Sequence, residues 1–172
     1  RPRMTWMPNK DKLMIQQLNS KQNHSRYFVA NADNGSTELL LEDKDEAWID
    51  VRNTWPYQDK AGWKFINGGK EFLYTTEKDG WSHVYRYDIE KREEFLVTKG
   101  DYDVIRPLSF DEEKGDIYFI ASPKDPTERY LYKTSENNEL ELVTPKLLEG
   151  THNYQISTCL LYTSDAADDH HR

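Results

Sequence analysis

The chain has 172 residues, of which 31% are charged, and its formal net charge is −8. This acidic balance argues against nucleic-acid binding, which needs clustered Lys and Arg, and no apolar run approaches the roughly 18 residues of a membrane-spanning helix. Aromatic residues make up 13% of the chain and stand in short runs, which favours an all-β protein.

The first predicted unit contains three short strands separated by polar turns. These strands cover residues 12–18, 26–30 and 38–41. A turn is predicted at 19–25, and another at Asn34 and Gly35. Strands of about five residues bounded by Asp, Asn, Gly and Pro indicate β-hairpins. Further short strands are predicted before this unit, at 4–7, and after it, at 48–51.

The same order recurs twice along the chain. The second unit has strands at 71–76, 82–87 and 94–98, and the third at 116–121, 129–133 and 140–144. A strand at 104–108 follows the second unit, and one at 154–157 follows the third. No stretch keeps the apolar spacing of an amphipathic helix over two turns.

Four strands per unit at a repeat of about 50 residues are typical of propeller blades. The predicted fold class is therefore all-β, a partial β-propeller of about three four-stranded antiparallel blades. The blades are expected at about 3–43, 47–99 and 103–145, and the next begins at 153–157. An antiparallel sandwich is the alternative. Three blades cannot close a ring, so we expect the chain to be an interior fragment.

The segment 158–172 differs from the rest in composition. It contains Cys159, the only cysteine, and resembles the in-frame translation of a sequencing-library adapter. A natural polar tail is the alternative. We expect 158–172 to be a non-native, disordered tail, and we therefore infer no redox or metal role for Cys159.

Four segments carry a resemblance to a known family. Residues 76–85, TEKDGWSHVY, and 96–104, LVTKGDYDV, resemble consecutive motifs of the N-terminal propeller of dipeptidyl peptidase IV-like proteins. Thr76 stands where Ser is common. Upstream, TWMPN at 5–9 and QLNSKQN at 17–23 are similar to another motif, with Ser20 in place of Arg. GTHNY at 150–154 resembles the start of the last blades.

The resemblance implies a parent protein in the prolyl oligopeptidase clan of serine peptidases. Such proteins join the propeller to a C-terminal α/β-hydrolase domain and remove dipeptides from peptide N-termini, often after Pro or Ala. The implied partners are that hydrolase domain, the peptide substrate and, in a homodimer, a second copy. The parent is expected to be periplasmic, secreted or membrane-anchored.

No catalytic residue, metal ligand or cofactor site is predicted in this chain. It has no Gly-x-Ser-x-Gly elbow, and the resemblance places the catalytic triad downstream of Ser157. It also places the glutamates that hold the substrate amine upstream of Arg1. The glutamate pairs 93–94 and 112–113 flank turns beside Lys or Arg, so we interpret them as solvated faces.

The histidines have structural interpretations. His83 shares a strand face with Trp81 and Tyr85 but has no predicted nucleophile or carboxylate partner, so a bond within its blade is expected. Asp79 and Gly80 form a predicted turn, in which Gly supplies a positive φ. His24 is assigned to a polar loop and His152 to the approach to a strand, without a second ligand at metal spacing.

Trp55 and Tyr57 are the candidates for substrate binding. They belong to a long insert, 53–63, and exposed aromatic residues in propeller loops can line a central cavity; packing is the alternative role. Two functions therefore stay open. One is the substrate-gating propeller of a serine exopeptidase, and the other is a propeller that acts only as a binding or scaffold module.

Overall fold

A computed structural model describes most of the chain. The described residues are 3–8, 11–51, 55, 62–135, 139–145, 147–148, 150–156 and 163–166. They form 14 strands and one short 3-10 turn at Asn67–Gly69, which confirms the all-β prediction. Within these residues, no helix is long and apolar enough to cross a membrane.

Twelve of the strands form three antiparallel sheets of four strands each, in chain order. The first sheet contains β1 (Arg3–Trp6), β2 (Lys12–Leu18), β3 (His24–Asn31) and β4 (Thr37–Lys44). The second contains β5 (Trp63–Ile66), β6 (Glu71–Thr76), β7 (His83–Asp88) and β8 (Glu93–Leu96). The third contains β9 (Val104–Asp111), β10 (Asp116–Ala121), β11 (Tyr130–Thr134) and β12 (Leu140–Leu142).

The strand registers show that the three sheets repeat one pattern. An apolar residue of the second strand lies opposite an aromatic residue of the third, which lies opposite a leucine of the fourth. These rows are Ile15–Phe28–Leu39, Tyr74–Tyr85–Leu96 and Phe119–Tyr132–Leu142. Cross-strand rows of this kind stabilise a sheet face. The repeat read from the sequence is therefore present in the strand pairing, and the sheets are the blades of a partial propeller.

The strand predicted at 48–51 is wrong. The second sheet opens with β5, and residues 45–51 form no strand. The Asp45 carboxylate accepts the amides of Ala47 and Trp48 at 2.7 and 2.9 Å, which turns the chain. The Ile49 amide then donates to the Gln22 carbonyl at 2.7 Å, outside any strand ladder. Local capping by Asp45 thus overrides the β-propensity of the Trp-Ile-Asp-Val run.

Residues 1–96 form one compact unit, and residues 97–172 form a second. In the first unit the first two sheets pack face to face on a largely aromatic core. Its buried members are Met7, Met14, Tyr27, Val29, Leu40, Trp63, Phe72, Tyr74, Tyr85 and Tyr87. Full burial of one such side chain contributes about 2–3 kcal/mol. Hydrogen bonds also cross between the sheets: for example, Trp63 Nε1 donates to Thr5 Oγ1 at 3.1 Å, and Tyr87 Oη donates to the Leu40 carbonyl at 2.8 Å.

The second unit has its own core around Ile120, Leu131 and Tyr154. Tyr154 belongs to β13 (Asn153–Ile156), which pairs with β14 (Thr163–Ala166). Four residues of the predicted disordered tail are therefore strand, because backbone pairing needs only amides and carbonyls and accepts almost any sequence. The non-native origin of 158–172 stays a prediction.

Candidate functional site

The register of the second sheet places a row of polar groups beside its aromatic face. Thr76 of β6 lies opposite His83 of β7 at one end of this strand pair. Glu94 of β8 lies opposite Tyr87 of β7. Because alternate residues of a strand share a face, these side chains stand on the same face as Tyr74 and Tyr85. That face packs against the first sheet, so polar groups meet at the junction of two blades.

Glu94 is the centre of this group. Its carboxylate accepts hydrogen bonds from Tyr74 Oη and from Lys78 Nζ. The Glu94 and Lys78 side chains are each only 29% exposed. Lys78 Nζ also lies 4.4 Å from the centroid of the Tyr85 ring, a cation–π distance. A carboxylate, an ammonium group and two tyrosines thus form one half-buried contact.

The first sheet contributes a second carboxylate to the same place. Asp43, on β4, is buried and accepts a hydrogen bond from Thr76 Oγ1 on β6. Burial, together with the Asp43 charge, raises the pKa of Glu94 to about 7. Burial lowers the pKa of Lys78, although Asp43 and Asp79 act in the opposite direction. We call Asp43, Tyr74, Thr76, Lys78, Asp79, Tyr85 and Glu94 the junction cluster.

His83 and Asp79 form the edge of the junction cluster. His83 is 1% exposed, and its Nδ1 lies 2.7 Å from Asp79 Oδ2. Burial alone would raise the pKa of Asp79, but the bonds from His83 and from the Trp81 amide hold it below its ordinary value. The contact lies within the blade, as expected of His83, but the partner is a carboxylate, which the sequence analysis did not predict. Gly80 has φ +96°, which confirms the predicted turn.

The chemistry of the junction cluster is ionic and not nucleophilic. The groups that it brings together are carboxylates, an ammonium group, a hydroxyl and phenols. Among the described residues, no group of three His, Cys, Asp or Glu side chains could hold a metal ion. The arrangement can therefore take up or release a proton and can hold two sheets together.

The structure locates part of the predicted substrate-binding pair. Trp55 is 6% exposed, so it is a buried and not an open aromatic residue. Lys64 Nζ lies 5.8 Å from the centroid of its ring. Tyr57 lies outside the described residues, so the structure does not bring the two together. Their role in substrate contact stays a prediction.

The other polar candidates divide into two groups. Glu93, Glu94, Glu112 and Glu113 are exposed, as predicted. His152 directly precedes β13, also as predicted. The loop assignment of His24 is wrong: it is the first residue of β3, and its Nε2 lies 3.5 Å from Glu42 Oε1 across the strand pair. Asn19 closes a tight turn through its side chain, which lets β3 begin two residues early.

Sequence reasoning missed the contacts of Glu94. The residue is exposed, as its interpretation as half of a solvated pair predicts, but its carboxylate also accepts hydrogen bonds from Tyr74 Oη and Lys78 Nζ. The sequence did contain a signal for these contacts, the alternation of side chains between the two faces of a strand. Glu94 and Leu96 share a face, and Leu96 packs against the core. The approach of Asp43, 51 positions earlier in the chain, had no local signal.

Comparison with known proteins agrees with this architecture. The family model described as the dipeptidyl peptidase IV (DPP IV) N-terminal region matches residues 2–165. Dipeptidyl peptidase 4 of Trichophyton rubrum is 24% identical over 131 residues, which are 76% of this chain and 16% of the relative. A probable dipeptidyl peptidase 4 of Aspergillus flavus is 28% identical over 107 residues, 62% of this chain and 14% of the relative.

Solved structures show the same fold. Porphyromonas gingivalis dipeptidyl peptidase 4 superposes with a TM-score of 0.78 at 24% identity, over 94% of this chain and 22% of that one. A putative dipeptidyl aminopeptidase IV from Bacteroides ovatus gives a TM-score of 0.74 at 18% identity, over 95% and 25%. The chain thus spans about a sixth of the length of the curated relatives it matches.

Proposed function

Because the chain belongs to the family of the dipeptidyl peptidase IV N-terminal region, we propose that it is the substrate-gating propeller part of a serine exopeptidase. The parent enzyme would release N-terminal dipeptides of the Xaa-Pro or Xaa-Ala type from peptides. The observation that carries the proposal is the family match over residues 2–165, on a chain folded as propeller blades. The 172-residue chain itself is proposed to be non-catalytic.

The nucleophilic chemistry would come from a C-terminal α/β-hydrolase domain of the same parent chain. In that arrangement the propeller restricts access to a buried site and orients the peptide, so its contribution is to binding and selection. The matched relatives are named as dipeptidyl peptidases and are about six to seven times as long as their matched regions, which leaves room for such a domain. We propose that the parent is periplasmic, secreted or membrane-anchored and can form homodimers.

The proposal is tested by expressing the chain alone and within its full coding sequence. Turnover of Gly-Pro and Ala-Pro chromogenic substrates is measured for both proteins. We expect turnover by the full-length protein and none by the 172-residue chain. A full coding sequence without a Gly-x-Ser-x-Gly elbow, or an inactive full-length protein, would favour the alternative function, a binding or scaffold propeller. Turnover by the chain alone would disprove its non-catalytic role.

We also propose that the insert carrying Trp55 and Tyr57 contacts the peptide substrate. The described member of the pair, Trp55, is buried, so its proposed role is to support the contact by packing.

In the full-length enzyme, Trp55→Ala is expected to raise KM for peptide substrates several-fold and to leave kcat nearly unchanged, the pattern of lost uniform binding. Trp81→Ala is the matched control. Trp81 is also a tryptophan outside the strands, but it is 39% exposed. Equal effects of the two substitutions would contradict the assignment of Trp55.

A further inference from the structure

We propose that a cavity at one end of the third sheet binds the guanidinium group of an arginine side chain, with Asp116 as the anchor of the bound group. This inference goes beyond the proposed peptidase role and does not depend on it, since it concerns only contacts within the third sheet.

The cavity lies where β10 begins, β11 ends and β12 begins. Its volume is about 340 Å³, within the roughly 300–1,000 Å³ of small-molecule sites. The charged and hydroxyl-bearing residues that line it are Asp116, Lys133, Thr134, Ser135, Glu139 and Glu141. Three carboxylates stand against one ammonium group, so the excess charge is negative and favours a cationic ligand.

Asp116 is the buried carboxylate of this lining. It is 9% exposed, whereas Glu139 is exposed and the Glu141 side chain is 65% exposed. Asp111, opposite Asp116 on β9, is also buried, but its carboxylate accepts two backbone amides of its own turn at 3.0 and 3.3 Å. Among the residues that the structure describes, none donates a hydrogen bond to the Asp116 carboxylate. A buried carboxylate is costly unless a donor or a cation meets it.

Lys133 is close to Asp116 but is already paired. Its Nζ lies 3.0 Å from Glu141 Oε2. This hydrogen bond raises the pKa of Lys133, and the Asp116 charge acts in the same direction, so the three groups lie near one another. The register agrees, because Lys133 lies opposite Tyr118 and Glu141, and Asp116 shares a strand face with Tyr118. Asp116 and Glu139 are therefore the carboxylates that can take a further cation.

The spacing of these carboxylates favours a guanidinium group over a single ion. Asp116 begins β10 and Glu139 directly precedes β12, and β11 lies between the two strands. Because neighbouring strands are about 4.8 Å apart, the two backbones are roughly 10 Å apart. A guanidinium group directs five N–H donors outward in a planar fork and can bond to acceptors on two sides. A calcium or magnesium ion needs every ligand within about 2.0–2.6 Å.

The remaining lining residue favours an arginine side chain over a small free guanidine. Leu140 is 38% exposed and lines the same cavity. Its side chain offers apolar surface on which the three methylene groups of an arginine can pack while the charged head bonds to Asp116.

The test is an NMR titration of the 172-residue chain with three ligands. We expect Nα-acetyl-arginine amide to bind at least tenfold more tightly than Nα-acetyl-citrulline amide, its neutral isostere, because only the former makes charge-assisted hydrogen bonds. Methylguanidine has the charged head without the stem and should bind more weakly than the arginine amide. The largest amide shifts should fall on Thr134, Ser135 and Glu141. These measurements use wild type and so do not depend on the folding of a variant.

Two variants locate the anchor. Asp116→Asn keeps the shape of the side chain and should weaken binding of the arginine amide by about tenfold. Asp125→Asn makes the same charge change in the exposed turn between β10 and β11 and should leave binding unchanged. Equal affinity for the arginine and citrulline amides, amide shifts centred away from the cavity, or equal losses in the two variants would overturn the proposal. Equal binding of methylguanidine would overturn the assignment to an arginine side chain.

Discussion

The first and second sheets carry the same apolar row but differ in how much of it is covered. In the second sheet the row includes Tyr74 and Tyr85, which are 1% and 6% exposed. The equivalent row of the first sheet includes Leu39, which is 38% exposed, and it begins at Met4 on β1, which is 57% exposed. The first sheet itself covers the row of the second sheet.

The difference shows that apolar patterning and burial are separate properties of a blade. The second sheet buries its row because a neighbouring blade packs on it, whereas the row of the first sheet is only half-buried in the described chain. A repeated blade that cannot bury both faces alone gains most of its stability from its neighbours. Position in the repeat therefore decides how much stability each residue of the row contributes.

The largest effect is expected from truncating equivalent aromatic residues in the two rows. Tyr85→Ala opens a cavity in a packed core and should lower the free energy of unfolding by about 3–5 kcal/mol. Phe28→Ala removes a half-buried ring at the equivalent position and should cost about 1 kcal/mol. Urea unfolding of both variants measures the difference. Equal losses would show that the two rows are covered to the same degree.

A smaller effect is expected from a glycine at the junction of the sheets. Gly69 has φ +87°, and a Cβ atom there would lie 2.7 Å from Pro8 Cδ. Gly69→Ala adds this steric clash to the strain of a left-handed backbone, so we expect a loss of about 2–3 kcal/mol.

Gly35→Ala isolates the backbone strain from the clash. Gly35 has φ +71°, and a Cβ there would have no neighbour within 4 Å. Its loss should be about 1 kcal/mol, the cost of strain alone. Thermal unfolding of both variants separates the two contributions. If Gly69→Ala is no more destabilising than Gly35→Ala, Pro8 moves aside freely and the junction is less tightly packed than described.

Much of the fold could be predicted from local pattern. The predicted strands 12–18, 71–76 and 116–121 coincide with β2, β6 and β10, because alternation and flanking turn residues act within a few positions. The error at 48–51 arose where Asp45 caps the chain, a side-chain preference that competes with strand propensity. Trp55 was predicted in an open loop yet is buried, because burial depends on residues distant in sequence.

By itself, the sequence determined the all-β class, the four-strand repeat and the resemblance to the dipeptidyl peptidase IV N-terminal region. Each of these rests on periodicity or on short motifs, which are local. Only the tertiary structure decided which face of each blade is covered and that Asp43 of the first sheet bonds to Thr76 of the second. Those outcomes depend on the packing of two sheets, in which residues far apart along the chain share one low-dielectric site.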